Sequence, residues 1–250
     1  MQSTANTSVA PQTVILAGGL GTRLKPLTNR LPKSMVEVMG KPFLQHQIEL
    51  LRDQGLTRLV LCVGHQADQI ICHFGHGASL GVRIEYSHDG AAPLGTGGAL
   101  VKAVPLLDSW FLVLDGDSYL PIDFHAPITH FLTHPAPALM TVYRNANRYG
   151  RSNVAIGQGR VMVYDRTQGD FAYMHAGLTV FQRQVLEAFT ADRFMLMDEI
   201  YQSLVASHNL ACFVLEQRFY EIGSHAGLND LEGYLASRRL HAGEVSGPTK

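Results

Sequence analysis

A short apolar run, TVILA at Thr13–Ala17, passes without a break into GGLGTRLKPLTNRLPK and then into an amphipathic segment, PFLQHQIELLRDQG. A run of that length reads as a buried strand, and Leu44, Ile48 and Leu51 share one helical face before Gly55 ends the helix. The stretch from Leu16 to Lys33 holds three glycines, two prolines and four cations. Glycines leave main-chain N–H groups open to a ligand, and the surrounding Arg and Lys require that ligand to be an anion. Phosphate is the first expectation.

The strand, loop, helix unit recurs. RLVLCVG from Arg58, VRIEYS from Val82 and WFLVLDGD from Trp110 read as strands, while HQADQIICHFG and TGGALVKAVPLL from Thr96 read as helices. Strands alternating with helices of this length predict a mostly parallel sheet wrapped on both faces. After Ala138 the texture changes to short strands, ALMTVYR, NVAIG, RVMVYDR and AYMHAGLTVF, with helices returning at about Phe194 and His225. The expected fold is therefore α/β and Rossmann-like, a mixed, mostly parallel sheet flanked by helices. A smaller antiparallel layer is expected to cover its open edge. One domain is expected over residues 13–240, with halves at about 13–120 and 121–240.

Residues 1–12 are polar and lack a basic and an apolar region, so they read as a disordered arm and not a secretory signal. Residues 241–250 read as a flexible tail. No apolar run approaches the roughly 20 residues of a membrane-spanning helix. The net charge of −1 supplies no global basic field for nucleic acid. Three cysteines without a C-x-x-C pair read as reduced, buried thiols of a cytoplasmic protein.

In open α/β sheets ligands sit beyond the carboxyl ends of the strands, where the glycine loop follows the first strand. Two phosphate loops are excluded by spelling: GLGTRL lacks the third glycine of G-x-G-x-x-G, and Gly40-Lys41 is followed by Pro42 where a P-loop has Ser or Thr. Arg23 offers a bidentate fork to phosphate oxygens and Lys33 a compact charge, a combination suited to a triphosphate.

The segment AGGLGTRLKPLTNRLPKSMVEVMGKP, Ala17–Pro42, resembles the N-terminal signature of the sugar-1-phosphate nucleotidyltransferases. PLGTGGAL at Pro93–Leu100, LDGDS at Leu114–Ser118 and RYG at Arg148–Gly150 follow in that family's order, so the resemblance spans about Thr13 to Leu235. It implies transfer of a nucleotidyl group from a nucleoside triphosphate to a sugar 1-phosphate, with pyrophosphate and Mg²⁺. Arg23 would hold the triphosphate and departing pyrophosphate, Lys33 the reacting phosphate and Asp117 the metal. Nucleotide binding would fall to Leu16, Ala17, Gly18, Gly19, Gly21 and Thr22, with Gly95, Thr96 and Gly97. Sugar phosphate binding would fall to Asp115, Tyr149, Gly150, Asp165, Arg166, His175 and Gly177.

Three positions depart from the family's pattern. In YEIGS, Glu221 stands where relatives carry a second metal-binding Asp, and it is either a metal ligand or a structural Glu. Asp165 and Arg166 replace a Glu-Lys pair, and Arg changes the geometry in which a phosphate is held. His175 stands where relatives often have Asn, and it either faces the sugar or is a satisfied core histidine. The spelling is most similar to the small bacterial branch that makes GDP-D-glycero-α-D-manno-heptose, with mannose-1-phosphate and N-acetylmuramate-1-phosphate enzymes near it. That implies GTP, a manno-configured heptose or hexose 1-phosphate, and a monomer or homodimer. Two other readings remain at this point. Asp115-Gly116-Asp117 also spells the D-x-D of a metal-dependent glycosyltransferase, and the altered residues fit a catalytically inactive nucleotide-sugar sensor.

The chemistry asks for such parts independently. A sugar phosphate and a nucleoside triphosphate repel each other unless cations intervene. An in-line displacement then needs positioning and charge neutralisation, with no nucleophilic side chain.

Overall fold

The computed structural model describes residues 10–167, 169–191 and 193–244. In chain order the elements are β1 (Gln12–Leu16), β2 (Glu37–Val38), β3 (Lys41–Pro42), α1 (Phe43–Arg52), β4 (Arg58–Val63), α2 (Ala67–Phe74), β5 (Arg83–His88), α3 (Gly95–Ala103), β6 (Trp110–Asp115), β7 (Ser118–Tyr119), α4 (His125–Thr133), β8 (Ala138–Arg144), β9 (Val154–Gly157), β10 (Arg160–Tyr164), β11 (Tyr173–Gln182), α5 (Met197–Ala206), β12 (Leu210–Leu215), β13 (Tyr220–Glu221) and α6 (His225–Glu244).

Successive residues of the first strands point to opposite faces, and both faces are apolar. Ile15, Leu61, Leu112 and Leu114 pack with Leu44, Ile48, Ile70 and Phe131 of α1, α2 and α4. Val14, Leu16, Val60 and Val113 pack on the other face with Leu100 of α3 and Ile200, Tyr201 and Leu204 of α5. A third cluster joins α6 to the start of the chain through Leu24, Val38, Phe43, Ile222 and Leu231.

Nine strands form one sheet in the order β5-β4-β1-β6-β11-β8-β12-β10-β9. The first four are parallel, as expected. β11 then pairs antiparallel with both β6 and β8, and β12 runs parallel to β8. The antiparallel strands thus do not cover the sheet's edge as a separate layer. They extend the sheet sideways, which satisfies the open N–H and C=O groups of β6 in the plane of the sheet.

Three smaller expectations are also corrected. Residue 12 does not belong to the expected arm: Gln12 is buried in β1, donating from Nε2 to the Leu106 carbonyl at 3.0 Å and accepting from the Asp108 N–H at 3.0 Å. The tail does not start at 241, because α6 continues to Glu244. Cys72 is exposed while Cys62 and Cys212 are buried, since α2 turns Ala67, Ile70 and Phe74 inward and leaves Cys72 on the opposite face. The rest of the arm and tail, residues 1–9 and 245–250, lies outside the described residues. Among the described residues no helix is long and apolar enough to cross a membrane.

Candidate active site

The register of β1 against β6 sets Leu16 beside Asp115, so the glycine loop and the Asp-Gly-Asp turn leave the sheet side by side. Gly116 makes that approach possible. A Cβ there would lie 2.1 Å from the Leu16 carbonyl oxygen. Gln47, fully buried on α1, holds the turn from beneath, its Nε2 donating to the carbonyls of Asp115 at 2.9 Å and Ser118 at 2.8 Å. Next along the chain, β7 pairs antiparallel with β13, Ser118 opposite Glu221, and the Ile222 N–H donates to the Asp117 carbonyl at 2.9 Å. Asp117 and Glu221 are thereby neighbours although 104 positions separate them (221 − 117).

The glycine loop brings two cations to the same place. Gly21 has a left-handed φ of 62° and a Cβ there would meet Thr28 Cγ2 at 2.7 Å, while the Thr28 hydroxyl donates to the Gly21 carbonyl at 2.8 Å. This tightens the loop so that Lys33 reaches Asp117, donating to its carboxylate. Arg23 converges from the other side. A Cβ on Gly223 would stand 3.1 Å from Arg23 Nη2 and 3.8 Å from Lys33 Nζ, so that glycine keeps space beside both.

These groups line one end of a cavity of about 660 Å³. Leu16, Ala17, Gly19, Gly21, Arg23, Lys33, Thr96, Asp115, Asp117 and Glu221 border it, as do Tyr149, Gly150, Arg166 and His175 towards the strands of the second half. Most of the residues picked from the sequence are brought together. Six are not among the lining residues. Gly18 packs on Gly64, a Cβ there meeting the Gly64 nitrogen at 3.2 Å, and Thr22 is exposed at the start of a 3₁₀ turn. Gly95 and Gly97 face protein: a Cβ would lie 2.5 Å from the Met195 carbonyl oxygen and 2.6 Å from that of Leu196, and Gly97 N–H donates to Met195 at 2.9 Å. Gly177 forms an irregularity in β11 with φ 87°, leaving room for Ser118. Asp165 folds onto its own turn, accepting from the N–H and hydroxyl of Thr167, both at 2.7 Å.

Two residues that the sequence reading missed complete the arrangement. Gln47 interrupts the apolar stripe Leu44, Ile48, Leu51, a polar residue on a buried face, and that was its available signal. Asp198, in the first turn of α5, stands where Asp165 was expected: its Oδ1 is 3.6 Å from Arg166 Nη1 and accepts from the Tyr164 hydroxyl at 3.3 Å.

The carboxylates load the site with negative charge. Burial, with the nearby charges of Asp117 and Glu221, pushes the Asp115 carboxyl well above the usual range. Desolvation in the cavity, reinforced by Asp117, raises Glu221 to about 7. His175 is lowered to about 4 by burial, so its ring is neutral at physiological pH. Its Nδ1 lies 3.7 Å from Asp115, and Nε2 lies 3.2 Å from the Thr179 hydroxyl, which in turn is 3.0 Å from Tyr201.

A loop for anions after the first strand of a parallel sheet, with cations and carboxylates facing across one cleft, defines an α/β enzyme that handles phosphorylated nucleotides. The chain belongs to the nucleotidyl transferase family, whose profile matches residues 12–236. It is 26% identical over 214 residues to the D-glycero-alpha-D-manno-heptose 1-phosphate guanylyltransferase of Campylobacter jejuni, covering 85% of this chain and 94% of that protein. It is 29% identical to the mannose-1-phosphate guanylyltransferase catalytic subunit beta of Dictyostelium discoideum, covering 84% of this chain and 60% of that longer protein. In structure it matches HddC from Yersinia pseudotuberculosis, which has also been crystallised with GMP-PN, at a TM-score of 0.76 and 26% identity over 90% of this chain and 99% of that one.

Nucleotidyltransferases of this family generally use a divalent metal. The residues present fit one. Asp117 and Glu221 are adjacent oxygen donors whose mutual repulsion a dication would relieve, and no group of three or more His, Cys, Asp or Glu forms a metal cage among the described residues. Two carboxylates, with the remaining ligands from water and phosphate, match the needs of Mg²⁺.

Proposed function

We propose that the chain transfers GMP from GTP to the 1-phosphate of a manno-configured heptose or hexose, releasing pyrophosphate. The observation that carries this reading is the convergence of Arg23, Lys33, Asp117 and Glu221 at the mouth of the first strand in a nucleotidyl transferase chain. The choice of GTP and of a manno-configured sugar draws on the names of the relatives and on the GMP-PN complex of the structural neighbour.

Two polyanions must meet for the reaction to occur, and their repulsion is the main barrier that the chain removes. The bare loop at Gly19–Gly21 offers main-chain N–H groups to the triphosphate, and Arg23 forks onto its β- and γ-phosphate oxygens. Lys33 sits at the reacting phosphate. An oxygen of the sugar phosphate attacks the α-phosphorus in line; the bond from that phosphorus to the bridging oxygen breaks, and pyrophosphate leaves on the opposite side. Asp117 and Glu221 would hold Mg²⁺, which would neutralise phosphate charge there. Arg166 takes the sugar phosphate. His175, neutral and buried, holds the floor beside Asp115. No covalent intermediate on the protein is needed. The reaction calls for no nucleic acid or membrane partner, and one cavity per chain suffices in a monomer or a homodimer.

A matrix of the common nucleoside triphosphates against sugar 1-phosphates, read by pyrophosphate release with Mg²⁺, tests the reading. Fastest release is expected with GTP and a manno-configured sugar. Release of a nucleoside diphosphate only when a saccharide acceptor is added to a nucleotide-sugar would make the chain a glycosyltransferase. Binding of nucleotide-sugar without turnover of any pair would make it a sensor.

A further inference from the structure

The acceptor end of the cavity contains an acid for which the steps above have no use. Asp198 lines the cavity beside Arg166 and Tyr164, its side chain 25% exposed. One of its oxygens, Oδ1, meets both neighbours, at 3.6 Å from Arg166 Nη1 and 3.3 Å from the Tyr164 hydroxyl. Among the described residues no hydrogen-bond donor reaches Oδ2. The start of α5 that carries Asp198 is fixed, since the Met197 N–H donates to the Thr96 hydroxyl at 3.1 Å and the Met197 side chain is buried.

Such a group differs from an ordinary acid in the first turn of a helix. A guanidinium stands next to it, it is held in place from one side, and it presents a second oxygen in a partly dry cleft. A carboxylate oxygen of that kind takes a short, charge-assisted hydrogen bond from a hydroxyl. The neighbouring guanidinium takes an anion. Two groups this close, of opposite demand, suit one small molecule that carries a phosphate and a hydroxyl within a few ångströms, which is the chemistry of a sugar 1-phosphate.

We infer that Asp198 reads a ring hydroxyl of the acceptor sugar while Arg166 beside it takes the anomeric phosphate, so that this pair sets which sugar 1-phosphate is accepted. The inference rests on the nucleotidyl-transfer reading. It also gives the departures near residue 165 a physical sense: the carboxylate comes from α5 across the cavity, because Asp165 is spent on its own turn.

The test is a mutant cycle between protein and substrate. Wild type, Asp198→Ala and Asp198→Asn are assayed by pyrophosphate release with the preferred sugar 1-phosphate and with analogues that each lack one ring hydroxyl. The alanine variant is expected to raise the acceptor KM by about 10-fold or more, the weight of one hydrogen bond to a charged group. The GTP KM and the melting temperature stay unchanged. One deoxy analogue should cost the wild type a similar factor and cost Asp198→Ala nothing, which is the signature of direct contact. Equal penalties for every analogue in both proteins, or an unchanged acceptor KM, would overturn the inference. If the alanine variant does not fold, the asparagine variant, close to Asp in shape and lacking its charge, is read by the same cycle. Wild-type protein that releases no pyrophosphate with any pair would overturn the underlying reaction, and this inference with it.

Discussion

Gly116→Ala is the sharpest single perturbation of the site. Its added Cβ would stand 2.1 Å from the Leu16 carbonyl oxygen, 2.7 Å from the carbonyl carbon and 3.1 Å from Ala17 Cα. All three are backbone atoms, and no rotamer relieves the contact. Leu16 cannot yield easily, because β1 is bonded to β4 on one side and β6 on the other. The turn must move instead, by about 1 Å to restore an ordinary contact, and it carries Asp117 with it. A misplacement of about 1 Å in a reacting site costs on the order of 10²-fold in rate. We expect kcat/KM for pyrophosphate release to fall about that far, with a stability loss of about 1–3 kcal/mol from overpacking. Gly233→Ala on α6, where a Cβ meets nothing within 4 Å, is the control: it should keep full activity and stabilise the helix by about 0.5–1 kcal/mol. Near-wild-type kcat/KM for Gly116→Ala would refute the argument that the position of this turn sets the chemistry.

Arg23→Ala should leave the melting temperature unchanged and lower turnover by about 10²-fold, roughly 3 kcal/mol for one preorganised charge contact. Gln47→Leu strands two carbonyls on the Asp115–Ser118 turn, so thermal denaturation should show a loss of about 2 kcal/mol, and the Mg²⁺ concentration for half-maximal activity should rise. His175, depressed from 6.5 to about 4, contributes stability that is full above pH 6.5 and lost as pH falls towards 4. Asp115 and Glu221, whose carboxyls are raised in the fold, gain stability as pH falls through the same window, so the His175 contribution is read as a difference. Denaturant titrations of the wild type should lose stability relative to His175→Gln by an amount on the order of 3 kcal/mol across it.

The first half of the fold was legible because its signals are local. A buried strand, a glycine loop and an amphipathic helix each announce themselves within about ten residues, and Arg23, Lys33 and Asp117 sit at their ends. What the sequence hid depends on partners far along the chain. Gly95 and Gly97 look like a ligand cradle, yet the backbone they admit belongs to Met195 and Leu196. A bare glycine reports that something comes close, and it does not report what. Asp165 has the right chemistry next to Arg166, but it lies in the turn after β10, where its carboxylate accepts from Thr167, and the acid that shares the cavity with Arg166 comes from α5. Strand β12 could not be placed from sequence, because its parallel pairing with β8 brings together segments 72 positions apart (210 − 138). Glu221 was recognised by spelling alone, and only the pairing of β7 with β13 supplies the physical reason that it lies beside Asp117.

The central claim is that one bare loop, two cations and two neighbouring carboxylates let a nucleoside triphosphate and a sugar phosphate approach each other. A crystal structure with GTP and Mg²⁺ tests it most directly. The account predicts the triphosphate along Gly19–Arg23, with a metal ion touching Asp117 and Glu221. A triphosphate bound elsewhere, with that cleft filled only by water, would contradict it.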